Sequence, residues 1–412
     1  MTGRGVCVAV MYQVIHGVRV WGKPDLSAVS QIVTCARTGN VAAAALMADH
    51  HKGYSQPIGG VVAYRDAVSP SGVGYDIACG NKAARTNLKY SQVLADIPAL
   101  MDLIAQTIEF GIGRKNPHPV DHELFDDPAW RDVAYLGKLK DLARSQLGTV
   151  GSGNHYVDLF VEPATDDLWV GVHFGSRGFG YKTASGFLNL AKGRRFSDSA
   201  PGEHMDQAPT LIPLESALGQ DYLRAMHLAG RYAYAGRDYV VRQVLELLGA
   251  QATFEVHNHH NFAWSEEHSG ERLVVVRKGA TPCFPGQLGF IGGSMGDISV
   301  IVRGKNTAEA RDSLYSTVHG AGRVMSRTQA AGKKNWKKGG RAGGLIKRED
   351  MERQVREFGV ELRGAGTDEA PAVYRKLAEV LEAHADTLEV LHVLKPVGVA
   401  MAGENELDPY KD

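Results

Sequence analysis

The sequence predicts an α+β fold, and three observations lead there. Helical and strand-like stretches are interspersed along the 412 residues without the regular βαβ alternation of a doubly wound sheet. No Pro/Ser-rich linker and no internal repeat divides the chain, so a single large catalytic domain over residues 1–412 is expected. The composition, 44% apolar and 22% charged, suits a globular protein with a large buried core.

Taken in order, apolar residues recur three and four apart over 26–50, 91–110, 130–147, 214–248 and 371–387, the period of amphipathic helices. Short runs at 157–161, 168–173, 253–257, 272–276, 298–302 and 393–401 read as strands. The 48 glycines point to tight turns and ligand-cradling loops between them. The N-terminal stretch is apolar only in patches, broken by Arg4, Gln13, His16 and Arg19, and has no signal-peptide layout. No apolar span of about 20 residues occurs, so a soluble, cytoplasmic protein without membrane partners is expected. The four cysteines (Cys7, Cys35, Cys79, Cys283) lack C-x-x-C spacing, which argues against a disulfide framework or a structural zinc knuckle.

Formal net charge is zero, so bulk charge selects no nucleic-acid partner. Locally it is uneven: Lys333, Lys334, Lys337, Lys338, Arg341, Lys347 and Arg348 precede the next acid, with Trp336 among them. Such a segment either tracks a phosphate backbone with Trp336 stacking on a base or is a solvated basic loop.

The most informative run is SPSGVGYDIACG at 69–80, where Asp76 and Cys79 sit three residues apart in a glycine-permissive backbone. A hard oxygen beside a soft sulfur suits a borderline divalent ion such as Mn, Fe, Co or Zn, whereas taken alone the run is a turn with a buried thiol. Three histidines recur in similar Gly/Asn-rich settings at strand ends: His155 in GTVGSGNH, His173 before Phe174-Gly175-Ser176-Arg177, and His260 in HNHHN. Together with Asp76 and Cys79 they suffice for two metal ions if the thiolate bridges, and a two-ion pair clamps phosphoryl oxygens.

His319 stands apart, in STVHGAGRVMSR. Gly320, Ala321 and Gly322 leave backbone amides open to phosphate, and Arg323 or Arg327 offers a guanidinium fork. A histidine there is placed to act as a nucleophile on phosphorus or as an acid/base, or else packs at a helix start. A second glycine-rich segment, from Arg277-Lys278-Gly279 to Gly293-Ser294-Met295-Gly296, adds cations and hydroxyls. Neither loop fits the P-loop pattern G-x-x-x-x-G-K-[ST].

In order along the chain, SPSGVGYDIACG, GTVGSGNH, HFGSRGFG, HHNF, RKGAT, GSMG and HGAGRVMSRT occur. This series, from about Gly59 to Gly403, resembles the RtcB family of GTP-dependent RNA ligases. The resemblance implies one catalytic domain of mixed sheets and surrounding helices. It implies two Mn²⁺ ions held by Asp76, a bridging Cys79, His155, His173 and His260, with His319 as the guanylylated residue. The implied reaction joins an RNA 3′-phosphate or 2′,3′-cyclic phosphate to a 5′-hydroxyl through a GMP-histidine and an RNA-ppG end, as in RNA repair and tRNA splicing. Its partners are GTP and broken RNA ends, with room for an activating protein. Asn154, Asp158, Ser294, Ser299, Gly320, Ala321, Gly322, Arg323 and Tyr374 fall on positions expected around the nucleotide.

The chain departs from the family pattern in places. Asp158 stands where the family usually has Glu, Phe174 where Ser is common and Gly292 where Pro is common. The usual Val-Lys-Gly end is replaced by Val399-Ala400-Met401-Ala402-Gly403 and a tail carrying Lys411, so that either Lys411 folds back to meet guanine or guanine selectivity is relaxed. Two other readings compete: a two-metal phosphodiesterase or phosphatase without ligation, and a non-catalytic RNA- or metal-binding module.

Overall fold

Two sheets organise the computed structural model, which describes residues 11–199, 204–334 and 341–404. The first has six strands, in the order Tyr12–Ile15, Val18–Trp21, Val41–His51, Ile58–Tyr64, Glu271–Lys278, Asn261–His268. The second runs Ala252–His259, Gly80–Lys89, Asp167–Phe174, Tyr156–Glu162, Leu388–Gly403, Ser299–Gly304, Leu288–Ile291, with Glu361–Ala365 alongside Leu388–Gly403 in parallel. Mixed pairing and irregular helix placement make this an α+β architecture, as the sequence predicts. All six expected strands fall on observed ones.

The helix expected over 26–50 is only half helix. Leu26–Ala36 is helical, capped by Asp25, whose carboxylate accepts from Ser27 and Ala28 N–H. Val41–His51 is instead a central strand between Val18–Trp21 and Ile58–Tyr64. Its alanines have helix propensity, but both faces are covered: Ala44 and Leu46 join the core under the first helix, Ala45 and Met47 the core on the other side. Burial on both faces gives a near-continuous apolar run, and tertiary packing overrides propensity.

Other helices are shorter than the periodicity predicts. The 91–110 segment is helical over Ile97–Thr107, restarted at Pro98. The 130–147 segment breaks into Ala129–Asp132, a 3₁₀ turn and Lys140–Gln146. The 371–387 segment keeps only a 3₁₀ turn and Leu377–Glu382. Ala217–Leu248 forms as expected, 32 residues from the Ser216 cap to left-handed Gly249. Arg177–Ala191 is a helix the sequence reading missed, its pattern diluted by Gly178, Gly180 and Gly186. Among the described residues, no helix is long and apolar enough to cross a membrane. Trp336 and Lys411 lie outside the described residues.

The second sheet curls until its first and last strands meet. Phe290 N–H donates to Asn258 Oδ1 at 2.8 Å, and Asn81 Nδ2 donates to Phe290 O at 2.8 Å, so two buried amide side chains stand in for ladder bonds.

Candidate metal centre and phosphate pocket

Four neighbouring strands of the second sheet bring their ends to one edge. The register pairs His259 with Gly80, Gly80 with Phe174, Asn81 with His173, and His173 with Tyr156. Cys79 therefore precedes one strand, His155 precedes the next but one, and His173 lies near the end of the strand between them. His260 lies where the chain leaves this sheet and enters the six-stranded one. Residues distant in sequence thus converge because they occupy one row of strand ends.

The row forms two triads that share a sulfur: Asp76, Cys79 and His155, and Cys79, His173 and His260, with candidate ligand atoms within 4.8 Å of one another in each. Cys79 Sγ lies 3.2 Å from His173 Nε2 and 3.6 Å from His155 Nε2, which is 3.0 Å from Asp76 Oδ2. Ligands about 2.0–2.3 Å from a common ion are separated by similar distances. His155 Nδ1 meets Val150 O at 3.0 Å, which leaves Nε2 as the lone-pair nitrogen facing Asp76 and Cys79. His260 Nδ1 is buried with no hydrogen-bond partner among the described residues. An orphaned buried nitrogen beside a thiol and an imidazole fits a divalent ion. Close packing fixes Asp76, since a Cβ on Gly175 would come within 2.1 Å of Asp76 Oδ1.

Burial sets the protonation states. It drives His173 and His260 well below the usual imidazole range, helped by neighbouring histidines, so both are neutral donors. Burial opposes ionisation of Asp76, but His155 and Arg177 outweigh it and hold the carboxyl low. Burial and then Asp76 push the Cys79 thiol well up, so a thiolate there calls for added positive charge, such as a bound cation.

His319 ends the short strand Ser316–Val318, and its ring centroid is 5.0 Å from that of His260. Its Nδ1 lies 2.6 Å from Oδ2 of Asp49, a fully buried residue of the Val41–His51 strand. The same oxygen accepts the backbone N–H of His319 at 3.0 Å and of Gly320 at 3.2 Å. Burial works against the Asp49 charge, but His319 more than offsets it and keeps the carboxyl low. With Nδ1 held by a carboxylate, Nε2 is the free nucleophilic nitrogen, the orienting logic of a nucleophile–base–acid triad. Gly322, at φ +74°, lets the loop pass close, for a Cβ there would lie 2.1 Å from Asp49 O.

Both groups open into one cavity of about 840 Å³, ample for a nucleotide. Asn154, Asp158, Ser294, Gly320, Ala321, Gly322, Arg323 and Tyr374 line it. Ser299 does not line it; its hydroxyl accepts Gly293 N–H at 2.9 Å and shapes the loop from behind. Arg323 is already engaged, with Tyr374 Oη at 3.1 Å and Asp368 O at 2.8 Å, and Arg327 pairs with Asp368 and Glu369. Arg277, from the second glycine-rich segment, is buried against Glu266 at 2.6 Å and braces Ser316. Asp158 is buried, and burial alone pushes its carboxyl well above the usual range. Lys278 and Arg375 also line the cavity.

Asp49 and the neighbouring cavity residue His51 are what sequence reasoning missed. Three consecutive polar residues, Asp49-His50-His51, at the end of an apolar run were the available signal, hidden by assigning that run to a helix.

The geometry sets the class: an enzyme-like site compatible with divalent ions beside a carboxylate-oriented imidazole. Over residues 31–402 the chain matches the family model described as tRNA-splicing ligase RtcB. It is 32% identical over 379 residues to the RNA-splicing ligase RtcB of Escherichia coli K12, covering 86% of this chain and 88% of that protein. It is 30% identical over 458 residues to the tRNA-splicing ligase RtcB of Archaeoglobus fulgidus, covering 91% of each. The Thermococcus kodakarensis tRNA-splicing ligase RtcB is 29% identical over 430 residues, covering 86% of each. The chain belongs to the RtcB family.

Proposed function

We propose that this chain is an RNA ligase that joins 3′-phosphate or 2′,3′-cyclic phosphate ends to 5′-hydroxyl ends at the expense of GTP, acting as one catalytic body in the cytoplasm. His319 Nε2 attacks the α-phosphorus of GTP; the N–P bond forms as the bond to pyrophosphate breaks. Asp49 keeps Nδ1–H in place and stabilises the positive charge that the ring acquires. Where the end is a 2′,3′-cyclic phosphate, water first adds to phosphorus as the bond to the 2′-oxygen breaks; an RNA 3′-phosphate oxygen then takes GMP from His319, and a 5′-hydroxyl, giving up its proton, attacks the activated 3′-phosphorus and expels GMP. Two Mn²⁺ ions held by Asp76, Cys79, His155, His173 and His260 would polarise these phosphates and stabilise charge on entering and leaving oxygens. The amides of Ala321 and Gly322 cradle phosphate, the Gly320 N–H being given to Asp49 Oδ2, while Asn154, Asp158 and Tyr374 flank the nucleoside.

The observation that supports this reading best is the sharing of Cys79 by two ligand triads next to a histidine that a buried carboxylate orients. Incubation with Mn²⁺ and α-labelled GTP should leave an acid-labile label on wild-type protein and none on His319→Ala. An unlabelled wild type, or equal labelling of the variant, would overturn the reading; turnover of cyclic ends without GTP would favour a phosphodiesterase.

A further inference from the structure

Arg237 lies on the helix Ala217–Leu248 and is wholly buried, at 0% exposure. A buried cation ordinarily pairs with a carboxylate, yet its guanidinium is directed to four neutral acceptors. Nη1 donates to Ala78 O at 3.0 Å and to Phe174 O at 2.5 Å, Nε to His257 Nε2 at 2.8 Å, and Nη2 to His259 Nδ1 at 3.0 Å.

The identity of those acceptors is informative. Ala78 immediately precedes Cys79, Phe174 immediately follows His173, and His259 immediately precedes His260. Each member of one triad is thus flanked by a residue that the same guanidinium holds. The other triad's own members, Asp76 and His155, have no such neighbour. Ala78 also needs a restraint, because its φ of +59° lies in the left-handed region that a non-glycine residue seldom adopts. That twist turns Cys79 into the site.

We propose that Arg237 is the positioning residue of the Cys79–His173–His260 ion site, holding its three ligands in register. The inference rests on the two-ion reading given above. Arginine suits the task because its planar fork reaches several acceptors at fixed angles, whereas a lysine ammonium carries its three donors on one nitrogen and cannot span them. Retaining charge without the fork should therefore not preserve the site.

The test is a Co²⁺ titration of the purified full-length chain, following the thiolate-to-cobalt charge-transfer absorption and counting bound ions by equilibrium dialysis. Wild type should take up two ions. Arg237→Lys and Arg237→Gln should keep one ion at near wild-type affinity and bind the second at least tenfold more weakly, with a correspondingly weaker charge-transfer band. Far-UV circular dichroism and a cooperative melt should show each variant folded. Two ions bound to Arg237→Lys as tightly as to wild type, or equal weakening of both, would overturn the proposal. So would failure of both variants to fold, which would make Arg237 a general core residue. A wild type that takes up no Co²⁺ would defeat the two-ion reading itself, an outcome distinct from a wild type with two ions and an indifferent variant.

Discussion

At the scale of single residues, the site depends on a few groups that burial forces into defined roles. Asp49 Oδ2 accepts the backbone N–H groups of His319 and Gly320 and lies 2.6 Å from His319 Nδ1, and so fixes both the His319 ring and the loop that carries it. Asp49→Asn keeps an acceptor but removes the charge that stabilises a phosphorylated imidazole, so histidine labelling by GTP should fall by roughly 10²-fold or more. Retention of the wild-type labelling rate would reduce Asp49 to a packing residue. Cys79→Ser exchanges a soft shared ligand for a weakly acidic hydroxyl, and should lose bound metal and GTP labelling together while the melting curve stays cooperative. Loss of labelling with two ions still bound would contradict the sharing of Cys79. Asp76, Cys79, the three ligand-type histidines and His319 stood out in the sequence because polar ligand-type residues in glycine-rich loops are conspicuous. Asp49 did not, because its partner is 270 residues away and its local context imitates a helix.

At the scale of elements, what builds the site is the alignment of strand ends, and strands were legible only in part: Val41–His51, Ile58–Tyr64, Gly80–Lys89 and Asn261–His268 were not read as strands. All six predicted strands exist, among them Tyr156–Glu162 and Asp167–Phe174, whose burial gives near-continuous apolar runs. Helices were over-extended because the 3.6-residue period survives across turns: Gly39 and Asn40, Pro98 and Gly137 break runs whose apolar spacing continues. The junction between Ala252–His259 and Leu288–Ile291 could not be read at all, since it is made by amide side chains rather than by a ladder. Asn258→Leu would leave the buried Phe290 N–H without its acceptor, and should cost about 1–3 kcal/mol in urea unfolding. Because His259 and His260 follow directly, metal affinity should fall as well. A variant as stable as wild type would show that the closure contributes nothing.

At the scale of the whole molecule, His384 joins the C-terminal part of the chain to the sheet that carries Asp49. The Val41–His51 strand is irregular against Ile58–Tyr64 between Leu46 and His51, and there Ala48 N–H donates to His384 Nε2 at 3.1 Å, across 336 residues. The other ring nitrogen meets Thr387 Oγ1 at 3.1 Å, and the imidazole stacks on Trp21. This arrangement requires neutral His384, and burial lowers its pKa from 6.5 to about 4. The sign follows from proton counts: below pH 6.5 the unfolded chain takes up a proton at this position that the native state refuses until about pH 4. Acidification across that window therefore weakens the fold, by about 1.4 kcal/mol per pH unit for one such group. His384→Gln retains an acceptor for Ala48 N–H and a donor for Thr387 but does not titrate. Other buried histidines titrate equally in both proteins, so the difference in urea-unfolding free energy isolates this one. Measured with chelator present, the stability of wild type relative to the variant should fall by about 1.6 kcal/mol between pH 6.5 and 5. A difference that stays constant over that interval would show that His384 is not the group through which acid loosens the sheet behind His319.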